Sequence, residues 1–182
     1  MLEEELIASS ENDPWMIRIL GHVRSLNLND CWIGAGFVRN KIWDEKHGLS
    51  RSNLNDIDVI YFDKINPAPA IDKEIELRLD KLDKTVNWSV KNQARMHIRN
   101  GHKPYQNTTE AISYWPETAT AVAIRLTNNN KVECIAPHGL HDLFHLIVQP
   151  TPGFNLKTYQ ERIARKQWSK RWNKLVFKQK NM

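Results

Sequence analysis

Apolar and polar positions alternate along this chain with two different periods, which predict both helices and strands. Apolar residues at helical spacing predict helices over residues 14–26, 37–46, 70–84, 93–99, 139–148 and 156–177, and a short helix capped by Thr108 or Thr109. Runs rich in β-branched residues predict strands over residues 30–33, 56–62, 86–90, 120–126 and 132–136, the last two joined by an asparagine-rich hairpin turn. This mixture favours an α+β or mixed α/β fold over a doubly wound sheet.

The last predicted helix is long and amphipathic, with an apolar stripe and a basic face. The stripe consists of Tyr159, Ile163, Trp168, Trp172, Leu175 and Val176. From Lys157 to Lys180 the only acid is Glu161, against nine lysines and arginines. We interpret Trp168 and Trp172 as packing anchors, while the basic face leaves an RNA contact open. We therefore expect a domain over residues 1–155 and a basic amphipathic C-terminal helix over residues 156–182 that packs on it.

The composition fits a single globular domain with a modest positive charge. The chain has 182 residues, enough of them hydrophobic (41%) for a packed core, and a net charge of +5 at pH 7. This charge permits a polyanionic partner such as a nucleotide or RNA without requiring one. No apolar run approaches the roughly 18 residues of a membrane span, and the acidic N-terminus is unlike a secretory signal. With Cys31 and Cys134 interpreted as free thiols, we expect a cytoplasmic protein without a membrane partner.

Two acids, Asp56 and Asp58, lie two residues apart in a predicted strand that is otherwise apolar. Because side chains alternate along a strand, both carboxylates are expected on one face, with Ile57 and Val59 on the other. Paired acids at this spacing can share one Mg²⁺, or two metal ions about 3.5–4 Å apart. A bound cation would also relieve their repulsion. The alternative is a strand edge that faces solvent, which the following Tyr61 makes less favourable.

Gly34 and Gly36 form a glycine-rich turn between a predicted buried strand and a predicted helix. Such a turn lets backbone N–H groups face a phosphate at the helix N-terminus. Arg39 and Asn40 follow in the first helical turns, where the guanidinium can reach phosphate oxygens. The alternatives are a turn needed only for packing, and a surface ion pair between Arg39 and Asp44. The segment is not a dinucleotide-binding fingerprint, because the third glycine is absent.

A basic segment follows the third predicted strand. Lys91 and Arg95 are candidates for contacts with a nucleotide or a second substrate, although the residues alone favour a solvated basic face. Further along, His141 and His145 lie one helical turn apart. No third residue at ligand spacing accompanies them, so a zinc site is disfavoured.

Five segments together carry a resemblance to a known family: GAGFVRNKIWD, DIDVIYFD, WSVKNQARMH, YWPETATAVAIRL and APHGLHDLF. Over residues 32–152 the chain resembles bacterial nucleotidyltransferase-like proteins of the nucleotidyltransferase superfamily. The resemblance implies an α+β fold, with a small mixed sheet flanked by helices. It also implies transfer of a nucleoside monophosphate from an NTP to a hydroxyl or phosphate acceptor, with Mg²⁺ (or Mn²⁺) as cofactor. By position, Gly34 and Gly36 match the family's glycine turn, and Asp56 and Asp58 match its metal-binding acids.

The chain departs from the superfamily pattern at the third acid, which should lie in the middle of the third strand. Ser89 occupies that region. Asp63, Glu117 or Asp44 would have to substitute, if the fold brings one of them near. Two hypotheses follow: a Mg²⁺-dependent nucleotidyltransferase, or a catalytically inactive nucleotide- or RNA-binding module of the same fold. The acceptor stays open among tRNA, a protein side chain and a small metabolite.

Overall fold

A five-stranded mixed sheet forms the centre of the computed structural model, which describes residues 1–179. The strand order is β3-β2-β1-β4-β5, and only β2 and β3 run parallel. The strands are β1 Trp32–Gly34, β2 Ile57–Tyr61, β3 Trp88–Asn92, β4 Ala123–Leu126 and β5 Val132–Ile135. A second, parallel sheet pairs β6 Ile147–Val148 with β7 Val176–Phe177. The predicted mixed sheet and its hairpin are confirmed.

Eight α-helices lie around these sheets within residues 1–179. They are α1 Leu2–Glu11, α2 Pro14–Arg24, α3 Gly36–His47, α4 Pro69–Leu82, α5 Met96–Asn100, α6 Thr108–Ser113, α7 His141–Phe144 and α8 Leu156–Lys166. Single 3₁₀ turns occur at residues 93–95 and 168–170. None of the helices in this part of the chain is both long and apolar enough to cross a membrane.

The two faces of the five-stranded sheet are covered unequally. Helices α1 to α4 pack on one face and form the main core, into which Ile57 and Val59 of β2 project. The other face carries a small cluster in which Ile60 contacts residues of β1, β4 and α6. Because side chains alternate along β2, Asp58 shares this second face with Ile60. The less covered face is therefore where a ligand can reach polar groups of the sheet.

The C-terminal helix is present but is shorter than the predicted 156–177. It ends at Lys166, because Gln167 adopts a left-handed conformation with φ 50°. The chain then turns so that Trp168 and Trp172 pack edge-on against Trp43 of α3, with ring centroids 5.3 and 5.1 Å away. Their interpretation as packing anchors is confirmed. Residues 180–182 lie outside the described part, so the prediction for Lys180 and the end of the tail is not addressed.

Two other local predictions were wrong, and one helix was missed. The helix predicted over 139–148 is only α7, because Leu146 is left-handed (φ 59°) and the next two residues pair as β6. The cap of α6 is Asn107, whose side chain accepts a hydrogen bond from the Glu110 amide, and not Thr108 or Thr109. The helix α1 was not predicted at all.

Candidate active site

The less covered face of the sheet is the floor of a cleft of about 830 Å³. Asp58, Ile60, Ser89 and Lys91 line this floor. The N-terminal end of α3 borders it through Ala35. The walls include Arg99, Tyr114, Trp115, Phe154, Arg162 and Arg165. We call this space the main cleft; it is of the size that encloses small-molecule ligands, and its carboxylate floor lies beneath a basic and aromatic wall.

Asp58 is a half-buried carboxylate in surroundings that disfavour its charged form. Burial, and next the charge of Asp56, raises the pKa of Asp58 to about 6. The positive charges of Arg39 and Lys166 and a hydrogen bond from Ser89 act in the opposite direction. A carboxylate in this position gains more from a bound cation than one already neutralised by a close ion pair.

Asp56 lies one residue before β2 and is exposed. It lines a smaller hollow together with Trp15, Arg51 and Asn87. Its charge nevertheless raises the pKa of Asp58, which lines the main cleft, and opposes the lowering of the Lys166 pKa. The two acids are thus electrostatically coupled, and a metal shared between them stays a prediction.

Ser89 is the register partner of Asp58 in the parallel β2–β3 pair. The position beside the floor acid therefore carries a hydroxyl. Two of the three proposed substitute acids form hydrogen bonds that stabilise other parts of the fold. Asp44 is buried and accepts hydrogen bonds from Arg171 and from Trp172 at 3.0 and 2.9 Å. Asp63 caps the loop after β2 by accepting bonds from the next backbone amides.

Glu117, the third candidate substitute, lies next to the cleft in a buried charge cluster. It is fully buried, and both of its carboxylate oxygens accept hydrogen bonds from Arg162 of α8. Its negative charge opposes the lowering of the pKa values of Arg39 and Lys166. Burial, and then the neighbouring Arg162 and Arg39, lowers the pKa of Lys166. Glu117 is therefore already neutralised by an arginine.

In the glycine turn, the backbone of Gly34 lies close to the ring of Trp115. A Cβ on Gly34 would lie 2.8 Å from the Trp115 ring, so only glycine fits there. Ala35 has φ 52°, which turns the chain into α3, and its N–H bonds to the Val122 carbonyl at 3.1 Å. The next amides begin α3 and have no partner within the helix, as at any helix N-terminus. Gly36 is the first of them, and the adjacent Ala35 borders the cleft.

Arg39 is not an exposed phosphate ligand in this structure but a buried cation, 5% exposed. Its guanidinium lies over the rings of Trp43 and Trp168, 5.0 and 4.4 Å from their centroids. It donates to the Thr120 hydroxyl at 2.9 Å and to the Asn40 side-chain oxygen at 2.9 and 3.2 Å. The alternative of an ion pair with Asp44 is not what the structure shows, since Asp44 bonds to the C-terminal segment.

The two basic residues after the third strand have different surroundings. Lys91 lines the main cleft, and its ammonium lies 3.8 Å from Glu76. Arg95 forms an ion pair with the buried Asp72 and donates to the Pro67 carbonyl at 3.4 Å. Of the pair, Lys91 is the one that the structure brings to the main cleft.

Sequence reasoning missed the contribution of α8 and of the loop around Tyr114 to the walls. Arg162 and Arg165 were recognised only as part of a basic tail. Elsewhere, the rings of His141 and His145 stack at 4.1 Å. Within residues 1–179 no three His, Cys, Asp or Glu side chains are grouped as a metal site. A metal at the paired acids would therefore need ligands from its substrate or from water, as Mg²⁺ in phosphoryl-transfer sites commonly has.

A small mixed sheet with Asp58 in a cleft bordered by the glycine turn and a helix N-terminus is typical of the nucleotidyltransferase class. The chain belongs to the nucleotidyltransferase family whose model matches residues 21–177. This confirms the resemblance noted in the sequence. A comparison with curated proteins gave no match.

Solved structures with this fold include parts of CCA-adding enzymes. An NMR structure described as a CCA-adding enzyme head domain is 35% identical, with a TM-score of 0.85 over 97% of this chain and 95% of the other. The Thermotoga maritima CCA-adding enzyme complexed with tRNA is 17% identical, with a TM-score of 0.60 over 98% of this chain. A CCA-adding enzyme with CTP is also 17% identical, with a TM-score of 0.61. The chain spans 42% and 43% of the length of these last two proteins.

Proposed function

We propose that this protein is a Mg²⁺- or Mn²⁺-dependent nucleotidyltransferase that moves a nucleoside monophosphate from an NTP to an acceptor. The observation that carries the proposal is the position of Asp58. It lies on the floor of an open cleft, coupled to Asp56 and bordered by the N-terminus of α3. Nucleotidyl transfer needs this combination of carboxylates for metal and donors for phosphate.

The polar residues on the floor of the main cleft, together with the neighbouring Asp56, fit a hard divalent cation. Asp56, Asp58 and the Ser89 hydroxyl offer only oxygen donors, which Mg²⁺ and Mn²⁺ prefer. The raised pKa of Asp58 indicates that its negative charge is under-compensated by the protein alone. A metal held by Asp56 and Asp58 would neutralise charge on the triphosphate and lower the pKa of an attacking hydroxyl.

The protein's own residues would position the nucleotide around these acids. The turn at Gly34 and Gly36 presents the α3 N-terminus to the triphosphate, and a helix N-terminus favours anions. Lys91 adds positive charge from the cleft floor. We also retain Arg39, Asn40 and Arg95 as nucleotide-binding candidates. The contacts of Arg39 indicate an indirect role. It holds the Asn40 side chain in place by a hydrogen bond, and its charge lowers the pKa of Asp58.

We propose an RNA as the acceptor. The likeness to CCA-adding enzymes motivates this choice, and the basic wall from α8 supplies charge for phosphates. In this view residues 156–182 are a basic segment added to a domain of residues 1–155, and Arg162 and Arg165 would face the nucleic acid. An acceptor of this kind would place the reaction in the cytoplasm.

A second candidate is a catalytically inactive module that binds a nucleotide or RNA. The observation that favours it is Ser89, the register partner of Asp58, together with the neutralisation of Glu117 by Arg162. In this case nucleotide would bind in the cleft without pyrophosphate release, because the group that activates the acceptor is absent.

Pyrophosphate release from each of the four NTPs, with Mg²⁺ or Mn²⁺ and a tRNA that lacks its 3′-terminal nucleotides, separates the two candidates. We expect release by the native protein and a loss of about a hundredfold or more in Asp58→Ala. Asp80→Ala, which removes an exposed acid on α4, is the matched control and keeps the activity. Unchanged turnover in Asp58→Ala refutes the transferase, and nucleotide binding without release under all conditions favours the inactive module.

A further inference from the structure

A second hollow of about 490 Å³ adjoins the main cleft. Asn100, Tyr114, Phe154 and Thr158 line both spaces, so the two are continuous along one wall. The second hollow extends away from the paired acids toward the loop after α5, where His102 lies. A ligand long enough to occupy both spaces would pass Tyr114 on its way.

Tyr114 forms the upper layer of a stack of aromatic rings. It is 41% exposed, and its ring lies on that of Tyr105 with centroids 5.3 Å apart and planes 17° apart. The His102 ring lies beside it at 4.3 Å. We call Tyr114 and His102, supported by Tyr105, the aromatic shelf.

The base of the shelf is fixed in place by hydrogen bonds. The buried Tyr105 hydroxyl accepts a bond from the Asn100 side chain at 3.0 Å and lies 2.6 Å from His102 Nδ1. The ring of His97 also lies edge-on to Tyr105, with centroids 6.0 Å apart. An exposed ring on such a rigid support loses little conformational entropy when it stacks on a ligand.

The chemistry around the shelf is that of a site for single-stranded nucleic acid. Arg99 lines the adjoining cleft, and Lys103 follows His102 in an exposed loop. On the far side, Arg165 of α8 faces the same cleft. Aromatic rings that stack on unpaired bases, with arginine and lysine beside them for the phosphates, are how proteins hold single strands.

We propose that the aromatic shelf binds the 3′-terminal nucleobase of the RNA acceptor, stacked on Tyr114. This inference rests on the proposed function, because it assigns a place to the acceptor of that reaction. A base on the shelf would direct its ribose hydroxyl toward the main cleft, where Asp58 lies. The shelf would thus align the acceptor end, while the glycine turn and Lys91 hold the NTP.

The test uses a short single-stranded RNA with a 5′ fluorophore and the same RNA with an abasic 3′-terminal nucleotide. Binding to the full chain is measured by anisotropy without metal or NTP, so the result does not depend on catalysis. We expect the complete RNA to bind about tenfold more tightly than the abasic RNA, the effect of one stacked base. Tyr114→Ala should bind both RNAs equally, and Tyr114→Phe, which keeps the ring, should restore the difference. A circular dichroism melt verifies that both variants fold.

Three results would refute the proposal that the aromatic shelf binds the terminal base. Equal binding of the two RNAs to the native protein shows that the terminal base has no site. A tenfold difference that persists in Tyr114→Ala puts that site elsewhere. A difference that disappears when a non-hydrolysable analogue of CTP or ATP is added assigns the hollow to the base of the NTP. Failure of pyrophosphate release, with the RNA difference intact, would instead count against the transferase and leave the shelf standing.

Discussion

Asp58 of β2 and Ser89 of β3 are register partners on adjacent parallel strands, and the serine side chain lowers the pKa of the aspartate. This pair replaces the two acids that the superfamily pattern would set side by side. It leaves Asp58 with one neighbouring acid, Asp56, rather than two. Three properties follow from this arrangement and can be tested: the response of stability to Mg²⁺, the pKa of Asp58, and the contribution of the neighbouring buried residues.

Ser89→Asp should make the protein more dependent on divalent metal. A third carboxylate beside Asp58 adds like-charge repulsion when metal is absent and a further oxygen ligand when it is present. We expect a melting temperature in EDTA lower by roughly 2–4 °C, equivalent to about 1 kcal/mol, and a larger rise on adding Mg²⁺ than in the native protein. Differential scanning calorimetry measures both. Ser89→Ala is the control, and an equal Mg²⁺ response in the two variants would contradict the prediction.

Asp58→Asn should stabilise the metal-free protein at neutral pH. The folded pKa of Asp58, about 6, lies above its ordinary value of 3.8, so the fold disfavours ionisation. For a raised pKa, stability is fully present below the unfolded value and is lost as pH rises through the folded value. The native protein should therefore be less stable than Asp58→Asn by an amount that grows between pH 4 and pH 7 and is then level.

We expect this difference to reach about 2 kcal/mol, reduced from the full value because Asp58 is partly exposed. Urea unfolding in EDTA over this pH range measures it. Saturating Mg²⁺ should diminish or reverse the difference, since only the native carboxylate binds the ion. A native protein that equals or exceeds Asp58→Asn in stability at pH 7 in EDTA would disprove the raised pKa.

Arg39→Gln should raise the pKa of Asp58 further. The guanidinium of Arg39 lowers that pKa through its charge, although Arg39 is itself buried against two tryptophans. Carboxyl ¹³C chemical shifts, followed by NMR over pH, report the titration directly. Arg125→Gln removes an arginine paired with Glu133 at the exposed edge of the sheet and should leave Asp58 unchanged. Equal titration in all three proteins would show that Arg39 exerts no field on the site.

Trp172→Phe should destabilise the fold more than Trp43→Phe. Trp172 Nε1 donates to the buried Asp44 at 2.9 Å, whereas Trp43 Nε1 has no hydrogen-bond partner among residues 1–179. Both changes reduce ring size at a buried position, but only the first removes a donor from a buried carboxylate. We expect the first variant to lose about 1–2 kcal/mol more in the free energy of unfolding. Equal losses would mean that the bond to Asp44 contributes nothing.

The sheet and the candidate site were predictable where local patterns decide the structure. Alternation in residues 57–61 predicts β2 and the face of Asp58, and Gly34 and Gly36 mark the turn into α3. These features depend on strand geometry and on backbone conformation, which nearby residues determine. The sequence alone was enough for the class of fold and for the face of the sheet on which Asp58 lies.

Other features depend on contacts between distant segments, which no local pattern encodes. Helical periodicity continues past Lys166, yet α8 ends there because Trp168 and Trp172 pack on Trp43, far away in sequence. The charge of Arg39 suggests an exposed side chain, but the same tryptophan cluster encloses it. The basic wall of the main cleft was missed for the same reason, because it forms only when α8 packs against Glu117 and β6.

Paramagnetic broadening by Mn²⁺ in the presence of a non-hydrolysable NTP tests the central claim most directly, since it locates the ion by residue. The amide signals of residues 56–58, of Ser89 and of the turn at residues 34–36 should broaden first, and Asp58→Asn should abolish the effect. Broadening centred elsewhere, for example at His141 and His145, or unchanged in Asp58→Asn, would contradict a metal site at the paired acids.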